Sequence, residues 1–340
     1  MKRVNKAYLI LIPLLLLLIV GSLSYGAVNI PIESILKIVT QGTSGKLSWD
    51  IIVTDSRFPQ CITAILAGAG LATSGLLMQT LFRNPLAGPS ILGVSDGANL
   101  GVALIMLYSG KFAGELSGNT YLTIIAAAFT GALSVLALII YFSRKVKSNV
   151  MLLIIGIMIG YLASSAISIL NYHAAADKVH QYVMWGMGDF TEISVNKLPY
   201  FAAFTSAGII YALFLIKPLN ALLLGEMYAS NLGVNIRRIR IAILLCTGIL
   251  IATITAFCGP ISFIGLAVPH ISRLILGTSN HKQLVPVTIF AGACIALLCN
   301  ILTVVPGSSS IVPLNAVTPV ICAPIIIYVI VNKKNIQYFN

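Results

Sequence analysis

Ten long apolar stretches follow one another along the chain, and they limit its possible folds more than any other feature. They lie near residues 7–26, 60–82, 91–108, 120–142, 150–171, 197–216, 240–257, 261–277, 284–303 and 316–332. About 20 apolar residues in a helix cross a bilayer, and only 9% of this chain is charged, against roughly 25% in soluble domains. The sequence therefore predicts an all-α polytopic membrane protein with about ten transmembrane helices, forming one domain over residues 1–340.

The first stretch has the layout of a signal peptide. Lys2, Arg3 and Lys6 precede an apolar run at 7–20, and small residues follow at 21–26. Since the rest of the chain requires a membrane in any case, we interpret this segment as an uncleaved first span.

The basic residues predict the orientation of the spans. Threading ten spans in order places 15 of the 21 Lys and Arg residues on one side: Lys2, Arg3, Lys6, Arg83, Arg144, Lys145, Lys147, Lys217, Arg237, Arg238, Arg240, Arg273, Lys282, Lys333 and Lys334. The other six are Lys37, Lys46, Arg57, Lys111, Lys178 and Lys197, and seven of the nine acids share their side. Cytoplasmic loops carry the excess of Lys and Arg, so both termini are predicted to be cytoplasmic. This bias accounts for the net charge of +12 without a nucleic-acid partner.

Neither a catalytic set nor a metal-ligand set is recognisable. The six cysteines lie in or beside apolar stretches without a CxxC pair, which favours packing over redox or metal chemistry. The run from Gly42 to Lys46 looks like a phosphate loop, but the motif requires glycine where Thr40 stands and Ser or Thr where Leu47 stands. The sequence therefore predicts no enzymatic activity, no cofactor and no metal.

The stretch after the second apolar segment indicates a short turn between spans. Arg83, Asn84 and Pro85 form a polar break, a second break follows at 88–89, and Ser90 is predicted to cap the next helix. Three glycines recur every four residues, at Gly93, Gly97 and Gly101. They share one helix face, and we expect the two spans joined by this turn to approach closely there.

Polar side chains inside the apolar stretches are few. Gln79, Asp96 and Asn99 lie near the second and third stretches, where a direct role in transport and a structural role both remain open. Later, Pro260 can begin a helix, and Pro269 favours a kink close to His270 and Arg273. That segment is either a kinked packing helix or one that shapes the pathway.

The longest connection predicted on the cytoplasmic side is 217–240. Within it, 219–228 and 229–234 suggest one or two short amphipathic helices, joined near 229–231. Such helices would lie at the membrane surface, where a cytosolic protein could contact them.

Four stretches together resemble the FecCD family, the permease subunits of type II ABC importers for iron–siderophore complexes, haem and cobalamin. The first is Arg57-Phe58-Pro59, and the second comprises Gly75, Gln79, Arg83-Asn84-Pro85-Leu86-Ala87 and residues 92–98. The third comprises Leu219, Asn220, Leu224, Gly225, Glu226, Ala229, Leu232, Gly233 and Val234. The fourth comprises Gly259, Pro260, Gly265, Pro269, His270 and Arg273.

The resemblance implies a permease in a bacterial cytoplasmic membrane that carries an iron chelate, with haem or cobalamin as alternatives. It implies three protein partners: a second permease subunit, identical or paralogous, a cytosolic ATPase dimer at the third stretch, and an extracytoplasmic binding protein. The second and fourth stretches would line or brace the pathway. A secondary transporter and a non-transporting receptor remain as other classes of function.

Some positions depart from the family pattern. Gln60 stands where the family usually has a second arginine, and Ile311 and Asn315 replace the Glu and Gly of a run near the C-terminus. An arginine often found upstream is Val304 here. Because outer arginines of the family pair with acids on the binding protein, Arg57 is the remaining docking candidate, and its other interpretation is an interfacial anchor.

Overall fold

The computed structural model describes residues 2–26, 28–108, 120–146, 148–304 and 312–331. Several residues used above lie outside these ranges: Lys111, Glu115, Lys147, Ile311, Lys333 and Lys334. The described residues form α1 (Lys2–Ser24), α2 (Ile32–Gln41), α3 (Leu47–Ile51), α4 (Phe58–Leu81), α5 (Val94–Ala103), α6 (Thr120–Lys145), α7 (Asn149–His173), α8 (Ala176–Gly186), α9 (Leu198–Phe214), α10 (Ile216–Leu223), α11 (Glu226–Asn231), α12 (Ile236–Cys258), α13 (Ile264–Leu276), α14 (His281–Leu302) and α15 (Leu314–Val331). Three wider or tighter helical turns flank these helices: Ile52–Arg57 joins α3 to α4, Pro89–Leu92 precedes α5, and Leu104–Tyr108 extends α5.

Every predicted apolar stretch contains an apolar helix. Within the described residues, six helices are long and apolar enough to cross a membrane, and α9 with α10, bent by 52°, makes a seventh. Three shorter apolar helices occupy the remaining stretches, at Val94–Tyr108, Ile264–Leu276 and Leu314–Val329. The fold is thus a polytopic helical bundle, with six or seven spans supported by helix length alone.

Helix α4 lies at the centre of the bundle, and small residues let its neighbours approach its backbone. A Cβ added to Gly68 would lie 2.3 Å from the carbonyl oxygen of Gly292 on α14. A Cβ added to Gly75 would lie 1.6 Å from that of Gly265 on α13. Such contacts are typical of membrane helices, which associate by close van der Waals packing rather than by hydrophobic exclusion of water.

The structure corrects two local predictions and adds elements that the sequence pattern did not indicate. Ser90 does not cap α5, because Gly93, with a left-handed φ of 73°, precedes its first residue. The two helices of the 217–240 connection join at Leu224–Gly225 rather than at 229–231, because Gly225 has a φ of 104°. Helix α8 and the helices α2 and α3 of the loop at 27–59 were not predicted.

The phosphate-loop-like run forms a turn between α2 and α3. Gly42 and Gly45 both have positive φ, and the Asp50 carboxylate accepts hydrogen bonds from Thr43 and Ser44. The side chains of this turn are therefore held by an acid of the same loop.

Candidate functional site at the loop end of the bundle

The α10–α11 segment exposes a group of large apolar side chains. We call Leu224, Met227, Tyr228 and Leu232 the loop patch; Met227 is 79% exposed. Leu219 and Ala229, in the same segment, are buried against the bundle. A cluster of exposed apolar side chains on a connecting segment is typical of a protein-binding surface.

Helix α11 has defined ends. Gly225 precedes it, and Gly233, with a φ of 85°, follows it. The backbone N–H of Val234 donates to the Ala229 carbonyl at 3.0 Å, which satisfies a carbonyl near the end of the helix. The two glycines thus allow the short helix to stand between two sharp bends.

Glu226 faces the bundle and binds three other parts of it. Its Oε1 accepts a hydrogen bond from Asn149 Nδ2 at 2.7 Å and lies 3.5 Å from Arg240 Nη2. Asn149 Nδ2 also donates to the Leu81 carbonyl at 2.9 Å, and Arg240 Nη1 donates to the Val146 carbonyl at 3.0 Å. Glu226 therefore connects α11 to α7, α12 and, through Asn149, the end of α4.

A second connection runs from α10 to α4. Asn220 Oδ1 accepts from the backbone N–H of His281 at 2.8 Å and lies 3.0 Å from Nδ1 of the same residue. Nε2 of His281 lies 2.8 Å from Thr80 Oγ1. Both Thr80 and His281 are buried, so this path passes through the packed interior.

The polar break after α4 is a strained turn, and hydrogen bonds connect it to α10 and α13. Arg83 has a φ of 46°, in the left-handed region that only a few non-glycine residues adopt. Its Nη2 donates to the Leu223 carbonyl, at the end of α10, at 3.5 Å. The Pro85 carbonyl lies 2.8 Å from His270 Nε2 on α13, and Asn84 Oδ1 accepts from the Leu86 N–H.

Gln79 and Arg273 meet in the interior between α4 and α13. Arg273 Nη1 donates to Gln79 Oε1 at 2.5 Å, and Gln79 Nε2 donates to the Leu266 carbonyl at 3.2 Å. Both side chains are buried. Buried polar groups are retained in membrane proteins when they find such partners. The structure thus brings together residues that the sequence singled out in two separate stretches.

The glycines of α5 do not pack against α4. A Cβ added to Gly97 would lie 2.6 Å from the Gly131 carbonyl oxygen, and one added to Gly101 would lie 2.1 Å from that of Ala127, both on α6. Gly93 instead faces α7, where a Cβ would lie 3.0 Å from the Gly156 carbonyl oxygen. The prediction that the two spans joined by this turn approach each other at these glycines is therefore wrong, because the glycines let α5 approach α6 and α7 instead.

At the opposite end of the bundle, where α4 begins, Asn315 joins three segments. Its Nδ2 donates to the carbonyls of Pro260, at 2.6 Å, and Gly186, at 3.2 Å, and its Oδ1 accepts from the Ser262 N–H. Gly259, with a φ of 72°, lies so close to α8 that a Cβ would stand 2.6 Å from the Trp185 carbonyl oxygen. Asn315 therefore connects the segment before α13 to the end of α8.

Arg57 is also at this opposite end, and its side chain points inward. Nη1 donates to the carbonyls of Leu23, at 2.7 Å, and Ser24, at 2.9 Å, and Nη2 donates to that of Val28. Leu23 and Ser24 end α1, where carbonyls lack partners within the helix and the helix dipole favours a cation. With 6% of its surface exposed, Arg57 is an internal cap of α1. Docking to another protein would require it to leave these carbonyls.

Thr80, Asn149 and His281 were not predicted from the sequence as functional residues. All three are polar residues at the ends of apolar stretches, which is the one signal that could have found them. Among the described residues, no group of three His, Cys, Asp or Glu side chains is arranged to hold a metal ion. The six cysteines are buried and unbonded to one another.

Comparison with known proteins agrees with this architecture. The model of the FecCD transport family matches residues 14–332. The hemin transport system permease protein HmuU of Yersinia pestis is 32% identical over 325 residues, covering 95% of each chain. The vitamin B12 import system permease protein BtuC of Salmonella paratyphi A is 33% identical and covers 84% of this chain and 85% of its own.

A solved structure shares the whole fold. It is described as an inward-facing conformation of a proposed metal-chelate type ABC transporter, and it superposes with a TM-score of 0.84 at 30% identity. The match covers 97% of this chain and 99% of the other. The chain belongs to the FecCD transport family of ABC importer permeases.

Proposed function

We propose that this protein is the membrane-spanning subunit of an ATP-driven importer whose energy enters at the α10–α11 segment. The observation that carries the proposal is the loop patch, whose large apolar side chains are exposed and would give a cytosolic ATPase dimer an apolar surface. A second permease subunit, identical or paralogous, would complete the pathway. ATP hydrolysis would belong to the partner, as in the family.

The proposed topology has ten spans with both termini in the cytoplasm of a bacterial cell. Ten apolar helices and the excess of basic residues near one set of helix ends support it. The loop end, where α4 ends and α10–α11 lies, is then cytoplasmic. The opposite end, where α4 begins, faces the extracytoplasmic binding protein.

We propose an iron chelate as the cargo, with haem or cobalamin as alternatives. The related proteins are described as permeases for hemin and for vitamin B12 and as a metal-chelate type transporter. A secondary transporter is the remote alternative, and it would require coupling charges in the membrane-spanning segments.

The test is reconstitution in nanodiscs with the cognate ATPase and binding protein. Ferric chelates, haem and cobalamin are then screened for stimulated ATPase activity. Uptake in proteoliposomes that continues when ATP is omitted would contradict the proposal and favour a secondary transporter.

The loop patch itself is tested by substitution. Met227→Asp is expected to abolish copurification of the ATPase, because a carboxylate in an apolar contact is costly to desolvate. Met227→Leu, which keeps an apolar side chain of similar volume, is the matched control and should retain the ATPase. Equal retention by both variants would rule out the patch as the contact.

A further inference from the structure

We propose that the end of α4 with the two residues that follow it, residues 80–83 (the α4 turn), is where movement of the α10–α11 segment enters the membrane-spanning part of the protein, with Thr80, His281 and Asn149 as positioning residues. The inference rests on the proposed function, and it identifies the internal route by which that function would operate.

Three separate contacts from α10–α11 reach this one turn. The path from Asn220 through His281 ends at Thr80. The path from Glu226 through Asn149 ends at the carbonyl of Leu81. Arg83 reaches the carbonyl of Leu223 directly. Two neighbouring short helices are thus each tied by hydrogen bonds to consecutive positions of a single helix end.

Two of these three paths run through intermediaries that come from other helices, and only the contact of Arg83 with Leu223 is direct. Asn149 is the first residue of α7, and His281 is the first residue of α14. The Asn149 side chain contacts α11 and α4, and the His281 side chain contacts α10 and α4. A displaced α10 or α11 therefore pulls on α4 through two starting residues of long helices.

The turn lies beside other elements to which a small displacement of it could pass. Gly75 fixes the middle of α4 against the backbone of α13, and Thr80 lies about 8 Å beyond it at 1.5 Å per residue. Arg83 and Pro85 follow at once, and the Pro85 carbonyl contacts His270 of α13. Movement of the turn would thus reach the 83–93 connection and α13, which the family resemblance implies line or brace the pathway.

The experiment compares Thr80→Val, Asn149→Ala and the double variant in nanodiscs with the bound ATPase. Thr80→Val keeps the shape of the side chain and removes only the hydroxyl. Thr73→Val is its matched control, since the Thr73 hydroxyl bonds to Ala69 within the same helix. Asn5→Ala, at an exposed position of α1, is the control for Asn149→Ala.

Two readouts are taken. The first is molecules taken up per ATP hydrolysed, using whichever of a ⁵⁵Fe-hydroxamate chelate, haem or cyanocobalamin the wild type transports. The second is hydrogen exchange of residues 76–84 with and without a non-hydrolysable ATP analogue, which requires no substrate.

Coupling free energies between sites are typically 5–150-fold in equilibrium terms. We expect uptake per ATP to fall about fivefold in each single variant and more in the double variant, while the ATPase stays bound. The nucleotide-dependent change in exchange at residues 76–84 should disappear in the double variant and persist in both controls.

The failures are distinguishable. A wild-type protein that neither retains an ATPase nor transports with ATP contradicts the proposed function. A double variant that retains the ATPase, keeps its uptake per ATP and keeps the nucleotide-dependent exchange overturns only the role of the α4 turn. If the double variant does not fold, the near-isosteric Thr80→Val variant decides the question by the same two readouts.

Discussion

The two ends of α4 are both held by buried polar groups, but in different ways. At the opposite end, Arg57 donates only to backbone carbonyls at and just beyond the end of α1. At the loop end, Gln79 and Thr80 contact side chains from α13 and α14. Leu81 accepts from the Asn149 side chain on α7. The opposite end is held by one cation on backbone carbonyls and by one amide pair, Gln60 Nε2 donating to Asn300 Oδ1 on α14 at 2.9 Å, whereas the loop end is held by side chains from three other helices.

The difference has a mechanical meaning. Carbonyls at a helix end cannot move without the helix, so Arg57 fixes α1 and α4 relative to each other. Side chains can exchange partners at a cost of about 1 kcal/mol per neutral hydrogen bond, so the loop end can rearrange. Variants at the opposite end should therefore lower uptake only as folded protein is lost. Variants at the loop end should lower uptake per folded molecule.

The largest effect is expected between the two ends, at Gly75. Gly75→Ala puts a Cβ where the Gly265 carbonyl oxygen lies only 1.6 Å away. Because both partners are backbone, neither can yield by changing a rotamer, and we expect a loss of about 3 kcal/mol or more. Thermal unfolding of the purified protein measures it. Gly88→Ala is the control, since its Cβ would meet nothing nearer than 3.9 Å; equal stability of the two variants would show that α4 is not locked against α13.

Arg57→Ala is expected to have the next largest effect. It leaves three carbonyls of Leu23, Ser24 and Val28 without their donor, and lost hydrogen bonds to a charged group suggest about 3 kcal/mol. Arg57→Lys should lose less, since an ammonium can bind some of these carbonyls. The thermal stability of each variant and its uptake per folded molecule are both measured. Lower uptake per folded molecule in a stable Arg57→Lys variant would contradict the purely internal role and support docking of the binding protein.

Only part of the contrast between these two ends of α4 could be predicted from the sequence. Apolar stretches and helix breakers predicted where the apolar helices of the described residues lie, and six of these, or seven with the bent α9–α10 pair, are long enough to cross a membrane. The turn at Arg83 and the residues Gln79, His270 and Arg273 were also identified. The inward direction of Arg57 was not, because one residue in sequence does not reveal which carbonyls lie within its reach. The same limit hid His281 and Asn149, whose partners lie 201 and 77 residues away.

A smaller effect is expected at Gln79. Gln79→Leu removes the acceptor 2.5 Å from Arg273 Nη1 and leaves a buried charged donor in an apolar contact, for about 2 kcal/mol. Gln79→Glu keeps an acceptor for Arg273 but loses the donor to the Leu266 carbonyl, so it should recover only part of the stability. Stability and uptake are compared for both. Because Gln79 precedes the proposed moving turn, Gln79→Leu should also lower uptake per folded molecule; loss of stability alone would place Gln79 with the fixed part of α4.

The smallest effect on stability is expected for Glu226→Gln, at the loop end. This variant should show the loop-end behaviour most clearly, since its uptake should fall while its stability hardly changes. The amide oxygen can still accept from Asn149, while Arg240 loses the charge that lies 3.5 Å away. The Glu226 side chain is 41% exposed, so water screens the pair and the change should be below about 1 kcal/mol. Uptake per folded molecule should nevertheless fall, since the ion pair that is lost connects α11 to α12. Glu226→Asp keeps the charge but shortens the reach to Asn149, so it distinguishes the ion pair from the hydrogen bond. If this variant retains wild-type uptake, the ion pair with Arg240 transmits the movement; if its uptake falls, the hydrogen bond to Asn149 does.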